Sequence, residues 1–182
     1  MWRVATVSLL VVLVASLAPP ARAQELDFTT VVLTESEVPS GLRLSQGRSG
    51  PQTRDGARAY EVTFEADPSR VGPGSGGIIV VTNLVALPAD PVAALDEMTR
   101  SAKQSMPGSP TDAAPPAVGD ESRAFTSSGG VGPFSVTVAA AMFRRNRAVA
   151  GVVVMSAGGQ PQMDEAVRLA QLVDGRLAEA AR

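Results

Sequence analysis

The strongest structural signal in the chain lies at residues 134–156, which read FSVTVAAAMFRRNRAVAGVVVMS. Two apolar runs, 134–143 and 148–156, flank a polar segment at 144–147. That segment contains Asn146, a residue type that tolerates the left-handed backbone of tight hairpins. The stretch therefore predicts two antiparallel strands joined by a short turn.

Further strands and a long helix are predicted on the N-terminal side of this hairpin. Residues 58–65 have a clean period of two, which predicts a strand with one buried face. Residues 78–87 are apolar on both faces, which predicts a central strand covered on both sides. Asp90-Pro91 supplies an N-cap and a proline at the first helical position, so a helix is predicted from there to residue 106. Its expected apolar stripe consists of Val92, Leu95, Thr99, Ala102 and Met106.

Shorter elements complete the predicted order. The sequence Thr-Glu-Ser-Glu at 34–37 is a capping box, which predicts a helix of one or two turns that Pro39 and Gly41 end. Strands are also predicted at 42–44 and 121–126, and a closing helix at 160–181. Turns and loops are predicted where proline, glycine and small polar residues concentrate, at 48–56, 67–77 and 109–117.

This order of elements, α-β-β-β-α-β-β-β-α, predicts the fold class. Hairpins dominate and helices occur singly, so we expect an α+β fold, a mainly antiparallel β-sheet with helices packed on it. No internal repeat divides the chain. A single domain is expected over residues 31–182, preceded by a flexible N-terminal segment at 24–30.

The first 23 residues have the layout of a secretory signal peptide. A positively charged start precedes an uncharged, mostly apolar run at 4–18, and Ala21 and Ala23 place small residues two apart before Gln24. A helix over 4–18 would be about 22 Å long, shorter than the roughly 30 Å hydrocarbon core of a bilayer. We therefore predict cleavage after Ala23 and Sec-type export, to the periplasm, the cell-envelope exterior or the medium. An uncleaved membrane anchor is the alternative.

Composition limits the partners of the exported domain. The 182-residue chain has a net charge of −2, and loss of Arg3 and Arg22 with the leader would make it more acidic. An acidic domain does not attract nucleic acid or anionic membranes, so neither is an expected partner. No second apolar run approaches the length of a membrane span, so the mature chain is not expected to insert into a membrane.

Composition also limits the chemistry, because the chain contains no histidine and no cysteine. A Ser-His-Asp triad, thiolate chemistry and zinc sites built from nitrogen and sulfur are thereby excluded. Carboxylate chemistry, a lysine-activated serine and oxygen-only metal binding remain open. No catalytic residue, cofactor or metal site is predicted.

Four features that could carry chemistry have simpler structural interpretations. The GxGxxG pattern at 72–77 precedes a strand rather than a helix, so it is expected to be a flexible loop and not a nucleotide site. Lys103 is expected on an exposed helix face rather than beside a serine that it activates. Adjacent acidic residues are expected to be solvated surface rather than the facing carboxylates of a glycosidase; they are Asp96-Glu97, Asp120-Glu121 and Asp164-Glu165. The candidate contacts for an anionic ligand or a partner, which otherwise solvate the hairpin turn, are Arg144, Arg145 and Arg147.

Three segments resemble motifs of exported bacterial α/β domains. Residues 119–125, GDESRAF, are similar to a GDES-x-x-F segment, and residues 33–44, LTESEVPSGLRL, to an opening LTE-x-x-x-P-x-G element. The arginine-rich hairpin and the later run LVDGRL at 172–177 are similar to a third segment. These motifs belong to largely uncharacterised extracytoplasmic families. Their element order resembles the PsbP/Mog1-like α-β-α sandwich and, in part, the extracellular sensor domains of bacterial receptor kinases.

The resemblance implies an α-β-α sandwich and a binding or assembly role rather than catalysis. Many of the sensor domains carry paired cysteines, which this chain lacks. We therefore predict an exported, soluble, non-catalytic binding or accessory domain whose partner is an extracytoplasmic protein or a small molecule. Two alternatives stay open, a carboxylate-dependent hydrolase acting on envelope glycans and a small-molecule carrier with an apolar pocket between sheet and helix.

Overall fold

The computed structural model describes residues 26–54, 57–67, 69, 77–131 and 134–181. The predicted signal peptide and its cleavage residues Ala21, Ala23 and Gln24 lie outside this part of the chain, as do residues 72–76 of the glycine-rich segment. Within it, the helices are α1 (Phe28–Val31), α2 (Pro91–Ser105) and α3 (Met163–Ala180), with a 3-10 turn η1 at Gln46–Arg48. The strands are β1 (Leu42–Leu44), β2 (Gly50–Arg54), β3 (Ala57–Ala66), β4 (Ile78–Leu87), β5 (Thr111–Ala113), β6 (Glu121–Val131), β7 (Phe134–Arg145) and β8 (Ala148–Ala157).

The predicted hairpin forms the middle of the sheet. β7 and β8 pair antiparallel, and Asn146 turns the chain between them with a φ of 53°. β4 pairs with the other edge of β8, so residues 78–86 and 149–156 join the two halves of the chain. The strand order is β1-β3-β4-β8-β7-β6-β5, β2 also pairs with β3, and every described pairing is antiparallel. The predicted α+β class is thus confirmed.

Helices cover both faces of this sheet. Alternate side chains of β7 belong to different core clusters, because neighbouring residues of a strand point to opposite faces. One cluster contains Ala139, Ala141 and Phe143 together with buried residues of α1 and α3. The other contains Val138, Ala140 and Met142 together with buried residues of α2. The α-β-α layering is therefore present.

A buried polar side chain ties the N-terminal loop to the central strands. Asn83 on β4 is 0% exposed; its Oδ1 accepts a hydrogen bond from the Leu33 N–H at 3.1 Å, and its Nδ2 donates to the Gly151 carbonyl at 3.1 Å. α3 holds the same loop from the helix side, since Arg176 Nη1 donates to the Val32 carbonyl at 2.8 Å. Buried polar groups of this kind need such partners, so these hydrogen bonds hold the loop against β4 and α3.

The prediction of a helix from the capping box at 34–37 is wrong. One hydrogen bond of the box forms, in which the Glu37 carboxylate accepts from the Thr34 N–H at 2.7 Å, but the Glu37 N–H donates to the Thr34 backbone carbonyl and the chain makes only a turn there. Pro39 has no N–H to donate and Gly41 has a φ of 94°, so the turn does not continue as a helix.

The first helix is instead α1, which lies a few residues earlier. Its N-cap Asp27 accepts a hydrogen bond from the Thr29 N–H at 3.0 Å. Part of α1 falls within the 24–30 segment, for which the sequence predicts flexibility, and Phe28 is buried there against the core. The aspartate cap explains where α1 begins.

Two segments predicted to be loops each contain a short edge strand. β2 lies within 48–56 and pairs with β3, whereas β5 lies within 109–117 and pairs with β6 at the opposite edge of the sheet. Edge strands tolerate proline, because an N–H on the open edge needs no partner strand. Pro51 in β2 is an example. The predicted order therefore gains one strand at each edge.

α2 begins and ends within one residue of its predicted bounds, but its buried face is rotated. Asp90 caps it, with Oδ1 accepting from the N–H groups of Val92 and Ala93 at 3.0 Å. Val92, expected in the apolar stripe, is 48% exposed. The buried residues are Ala94, Leu95, Met98, Ser101 and Ala102. Small residues on the side of α2 that faces the sheet allow the helix to approach β7 and β8 closely. The predicted stripe consists mostly of larger side chains and therefore leaves out Ala94 and Ser101.

Candidate functional site

Arg145, one of the three arginines at the hairpin turn, faces α3. Its Nε and Nη2 donate to the two carboxylate oxygens of Asp174 at 2.6 and 2.5 Å. The Asp174 side chain is only 14% exposed. Paired hydrogen bonds between a guanidinium and a carboxylate are specific in geometry and stronger than neutral ones. This contact fixes the hairpin turn to the last helix.

The start of β6 holds the same turn from the other side. Asp120 accepts hydrogen bonds from the Asn146 N–H at 2.7 Å and from Arg145 Nη1 at 3.1 Å. Glu121 Oε2 accepts one from Arg144 Nε at 3.0 Å. Both Arg144 and Arg145 are therefore engaged in ion pairs within the domain.

Gly119 allows this close approach. It has a φ of 69°, and a Cβ at this position would lie 2.3 Å from the Arg144 carbonyl oxygen. Its N–H donates to Asp174 Oδ2 at 3.1 Å. A side chain at residue 119 would clash with the hairpin and strain the backbone, so the segment needs glycine there.

The ion pairs lower the pKa values of two of these carboxyl groups. Burial acts to raise the pKa of Asp174, but hydrogen bonds from Arg145 and from the Gly119 N–H outweigh it and hold that pKa below its ordinary value. Hydrogen bonds from Arg144 and Arg123 likewise lower the pKa of Glu121. Carboxylates held ionised in this way are poor proton donors near neutral pH.

Arg147 differs from its two neighbours. It is exposed and forms no ion pair with any residue that the structure describes. Of the three arginines, only Arg147 has its guanidinium available for an anionic ligand or a partner.

The other residues weighed in the sequence lie in separate surface contacts. Lys103 pairs with Asp112 and lies over the Phe125 ring at 5.4 Å, which ties α2 to β5 and β6. The remaining acidic pairs contribute separate contacts along the helices and to β6; these are Glu97 with Arg100, Asp96 with Arg123, and Glu165 with Arg168. Among the described residues, no group of three or more acidic side chains is placed to hold a metal ion.

A surface groove beside α1 is the site that sequence reasoning missed. It has a volume of about 430 Å³ and lies where α1 meets β2 and β3. Its lining residues are Leu26, Asp27, Phe28, Thr29, Pro51, Arg58 and Tyr60. The groove is open to solvent, so this is the volume of a surface depression and not of an enclosed cavity.

Flat groups are stacked along the groove. The rings of Phe28 and Tyr60 lie 6.5 Å apart and 16° from parallel, and the Arg58 guanidinium lies 5.5 Å from the centre of the Phe28 ring. Pro51 is directly opposite Tyr60 in the β2–β3 register. Phe28 is buried, so it supports the half-buried Tyr60 ring from behind, and Tyr60 is the aromatic ring that the groove presents.

The two charged groups of the groove have opposite signs. Arg58 is exposed on one side, and the exposed Asp27 carboxylate accepts hydrogen bonds from the Thr29 hydroxyl at 2.7 Å and the Thr29 N–H at 3.0 Å. These hydrogen bonds lower the pKa of Asp27, so it remains ionised near neutral pH. The groove therefore combines a hydrogen-bond acceptor with a strong hydrogen-bond donor.

The sequence contains only part of the signal for this groove. Tyr60, the only tyrosine in the chain, lies on the face of its strand that the period of two marks as apolar. Pro51 and Phe28, however, belong to segments that the sequence predicts as turn and flexible tail. The groove depends on the packing of α1 against an edge strand, which no local pattern reports.

Glu61, on the opposite face of β3, is a carboxyl whose pKa is raised. Burial raises the pKa of Glu61. Hydrogen bonds from Gln52 Nε2 at 3.3 Å and from the Thr63 hydroxyl at 3.5 Å lower it, but by less than burial raises it. The Thr63 hydroxyl also lies 3.3 Å from that of Thr82. A half-buried carboxyl in a polar cluster is the kind of group that acid–base chemistry uses.

Comparison of the chain with models of protein families, with curated proteins and with solved structures found no match in any of the three. Among the described residues, no helix is long and apolar enough to cross a membrane.

Proposed function

We propose that this protein is an exported, non-catalytic binding domain that uses the groove beside α1 as its contact surface. The observation that carries the proposal is the combination, in that groove, of a stacked aromatic pair with two charged groups of opposite sign. The signal-like leader supports the extracytoplasmic location, where the domain meets a protein or a small molecule.

The state of the carboxylates supports a binding role over a catalytic one. Asp120, Glu121 and Asp174 come together at the hairpin turn, but each is hydrogen-bonded to arginine. A glycosidase needs one carboxylic acid that keeps its proton beside a second carboxylate. Hydrogen bonds from arginine hold the pKa values of Glu121 and Asp174 below their ordinary values, so neither is suited to keep that proton.

Ligand capture with site variants tests this function. The protein, purified as its host exports it, is incubated with small molecules and glycans extracted from the extracytoplasmic fraction, and retained species are identified by mass spectrometry. We expect the wild type and Arg147→Ala to retain a species that Tyr60→Ala loses. Loss from Arg147→Ala alone would move the contact surface to the hairpin turn, and equal retention by all three proteins would refute a role for either site.

A hydrolase is the second candidate, and Glu61 is the observation that favours it. Its raised pKa suits a general acid, and Gln52, Thr63 and Thr82 surround it with hydrogen-bonding groups. Purified protein incubated with labelled envelope glycans would then release fragments, and Glu61→Gln would abolish the release. Release that persists in Glu61→Gln would exclude this mechanism.

A further inference from the structure

The groove beside α1 is shaped for part of a long ligand. Four of the residues around it, Asp27, Thr29, Pro51 and Arg58, are exposed, so the groove is open to solvent at its sides. A small molecule that binds tightly usually loses about 70–90% of its surface to an enclosing pocket. An open groove of about 430 Å³ gives less enclosure and suits one segment of a polymer.

The charges of the groove favour an uncharged polymer. Asp27 would repel a polyanion and Arg58 a polycation, because each lies within the same small groove. Both groups can hydrogen-bond to neutral hydroxyl groups, since the carboxylate accepts and the guanidinium donates. The Tyr60 hydroxyl can do both, and it forms no hydrogen bond within the described part of the chain.

The Tyr60 ring, which is half-buried and supported by Phe28, favours a ligand with flat, C–H-bearing faces. The face of an aromatic ring carries partial negative charge and attracts the edges of C–H groups. A pyranose ring offers such a face together with hydroxyl groups around its rim. A peptide fits less well, because it binds an open strand edge through backbone hydrogen bonds and Pro51 on β2 has no N–H to donate.

We propose that the groove binds a short segment of a neutral saccharide, with one sugar ring on the Tyr60 and Pro51 side and its hydroxyl groups at Asp27 and Arg58. This inference rests on the proposed function, since it names the ligand class for the same site. It adds that the ligand is uncharged and that recognition is by stacking and hydrogen bonding.

An NMR titration with defined saccharides, followed at the Tyr60 ring signal, tests the proposal. As the only tyrosine in the chain, Tyr60 gives a single ring signal in protein labelled with ¹³C-tyrosine. The probes are the tetramers of cellulose and chitin, the anionic tetramer of polygalacturonate and a proline-rich decapeptide. We expect at least one neutral tetramer to shift the Tyr60 signal with saturation and the anionic tetramer to leave it unchanged.

Variants show whether the groove itself makes the contact. Asp27→Asn and Arg58→Gln keep the stacked rings and should each weaken binding of the neutral tetramer about tenfold, the loss expected for a hydrogen bond to a charged group. Leu44→Ala, at an exposed position outside the groove lining, should leave it unchanged.

The possible outcomes separate this inference from the proposed function. A shift caused only by the decapeptide or by the anionic tetramer overturns the saccharide class and leaves a binding groove in place. The absence of any shift, in protein whose methyl spectrum shows it folded, overturns the saccharide inference. If the capture experiment also finds nothing, the proposed function fails with it.

Discussion

Asp174 anchors the hairpin turn to α3 through Arg145 and to the start of β6 through Gly119. It accepts two hydrogen bonds from Arg145 and one from the Gly119 N–H. Asp174→Asn removes the charge and one acceptor, so we expect the free energy of unfolding to fall by about 1–3 kcal/mol. Chemical denaturation measures the loss. Asp164→Asn, which removes the same charge from an exposed position of α3, is the matched control and should change it by no more than about 0.5 kcal/mol.

Two glycines should respond to the same substitution with opposite signs. In Gly119→Ala the new Cβ would meet the Arg144 carbonyl at 2.3 Å with a positive φ, so we expect a loss of stability of about 2 kcal/mol or more. Gly175 lies inside α3 with no atom within 4 Å of a new Cβ, so Gly175→Ala should stabilise by about 1 kcal/mol. Thermal unfolding of both variants tests this pair, and a destabilised Gly175→Ala would contradict it.

Among the elements, the β7–β8 hairpin depends on the backbone of one turn residue. Asn146 has a φ of 53°, a conformation that costs roughly 1–2 kcal/mol for most residues. Asn146→Ala should therefore lower the melting temperature, whereas Asn146→Gly should leave it close to that of the wild type. Equal melting temperatures for the two variants would show that the turn can adopt another conformation.

Most long elements are predicted here better than the short ones. The exceptions are β1, which is predicted at its observed bounds, and β6, which is predicted only over 121–126 and extends to Val131. β4, β7, β8, α2 and α3 have ten or more residues each, enough for a periodic pattern and a cap to agree. β2 and β5 have five and three residues, and they exist because a longer neighbouring strand offers them a partner. The capping box at 34–37 shows the reverse case, in which local hydrogen bonds form without the helix that they usually begin.

Across the whole molecule, titrating carboxyl groups give stability a clear dependence on pH. The pKa values of Asp27, Glu37, Glu121 and Asp174 are lowered by hydrogen bonds to their ionised forms, although burial opposes the shift in Glu37 and Asp174. Their contribution is fully present above their ordinary pKa values of about 4 and is lost as the pH falls through the lowered values.

We therefore expect the free energy of unfolding to fall steadily below about pH 4. The raised pKa of Glu61 acts with the opposite sign, so Glu61→Gln should be more stable than the wild type at neutral pH and lose that advantage in acid. Denaturant titrations across the pH range measure both effects. A Glu61→Gln advantage that grows in acid would contradict the sign.

The candidate functional sites also differ in how far the sequence predicts them. The hairpin arginines are visible in the sequence because they are adjacent, yet their carboxylate partners come from β6 and α3, so two of the three are engaged. The groove joins residues of α1, β2 and β3 that no spacing relates. Sites that a single element carries can be predicted from a pattern, whereas sites made by packing cannot.

The pairing of β4 with β8 also makes the fold depend on contacts between residues that are far apart in the chain. Asn83 and the Gly151 carbonyl that it binds are 68 residues apart, and Arg176 reaches the Val32 carbonyl across 144 residues. Contacts this distant form only after the intervening chain is free to close, which slows folding. In an exported chain that emerges N-terminus first, β1, β2, β3 and β4 can pair with one another early, whereas the second edge of β4 has no partner until β8 has followed. In the proposed export, completion of the sheet and the packing of α3 against α1 would therefore come last.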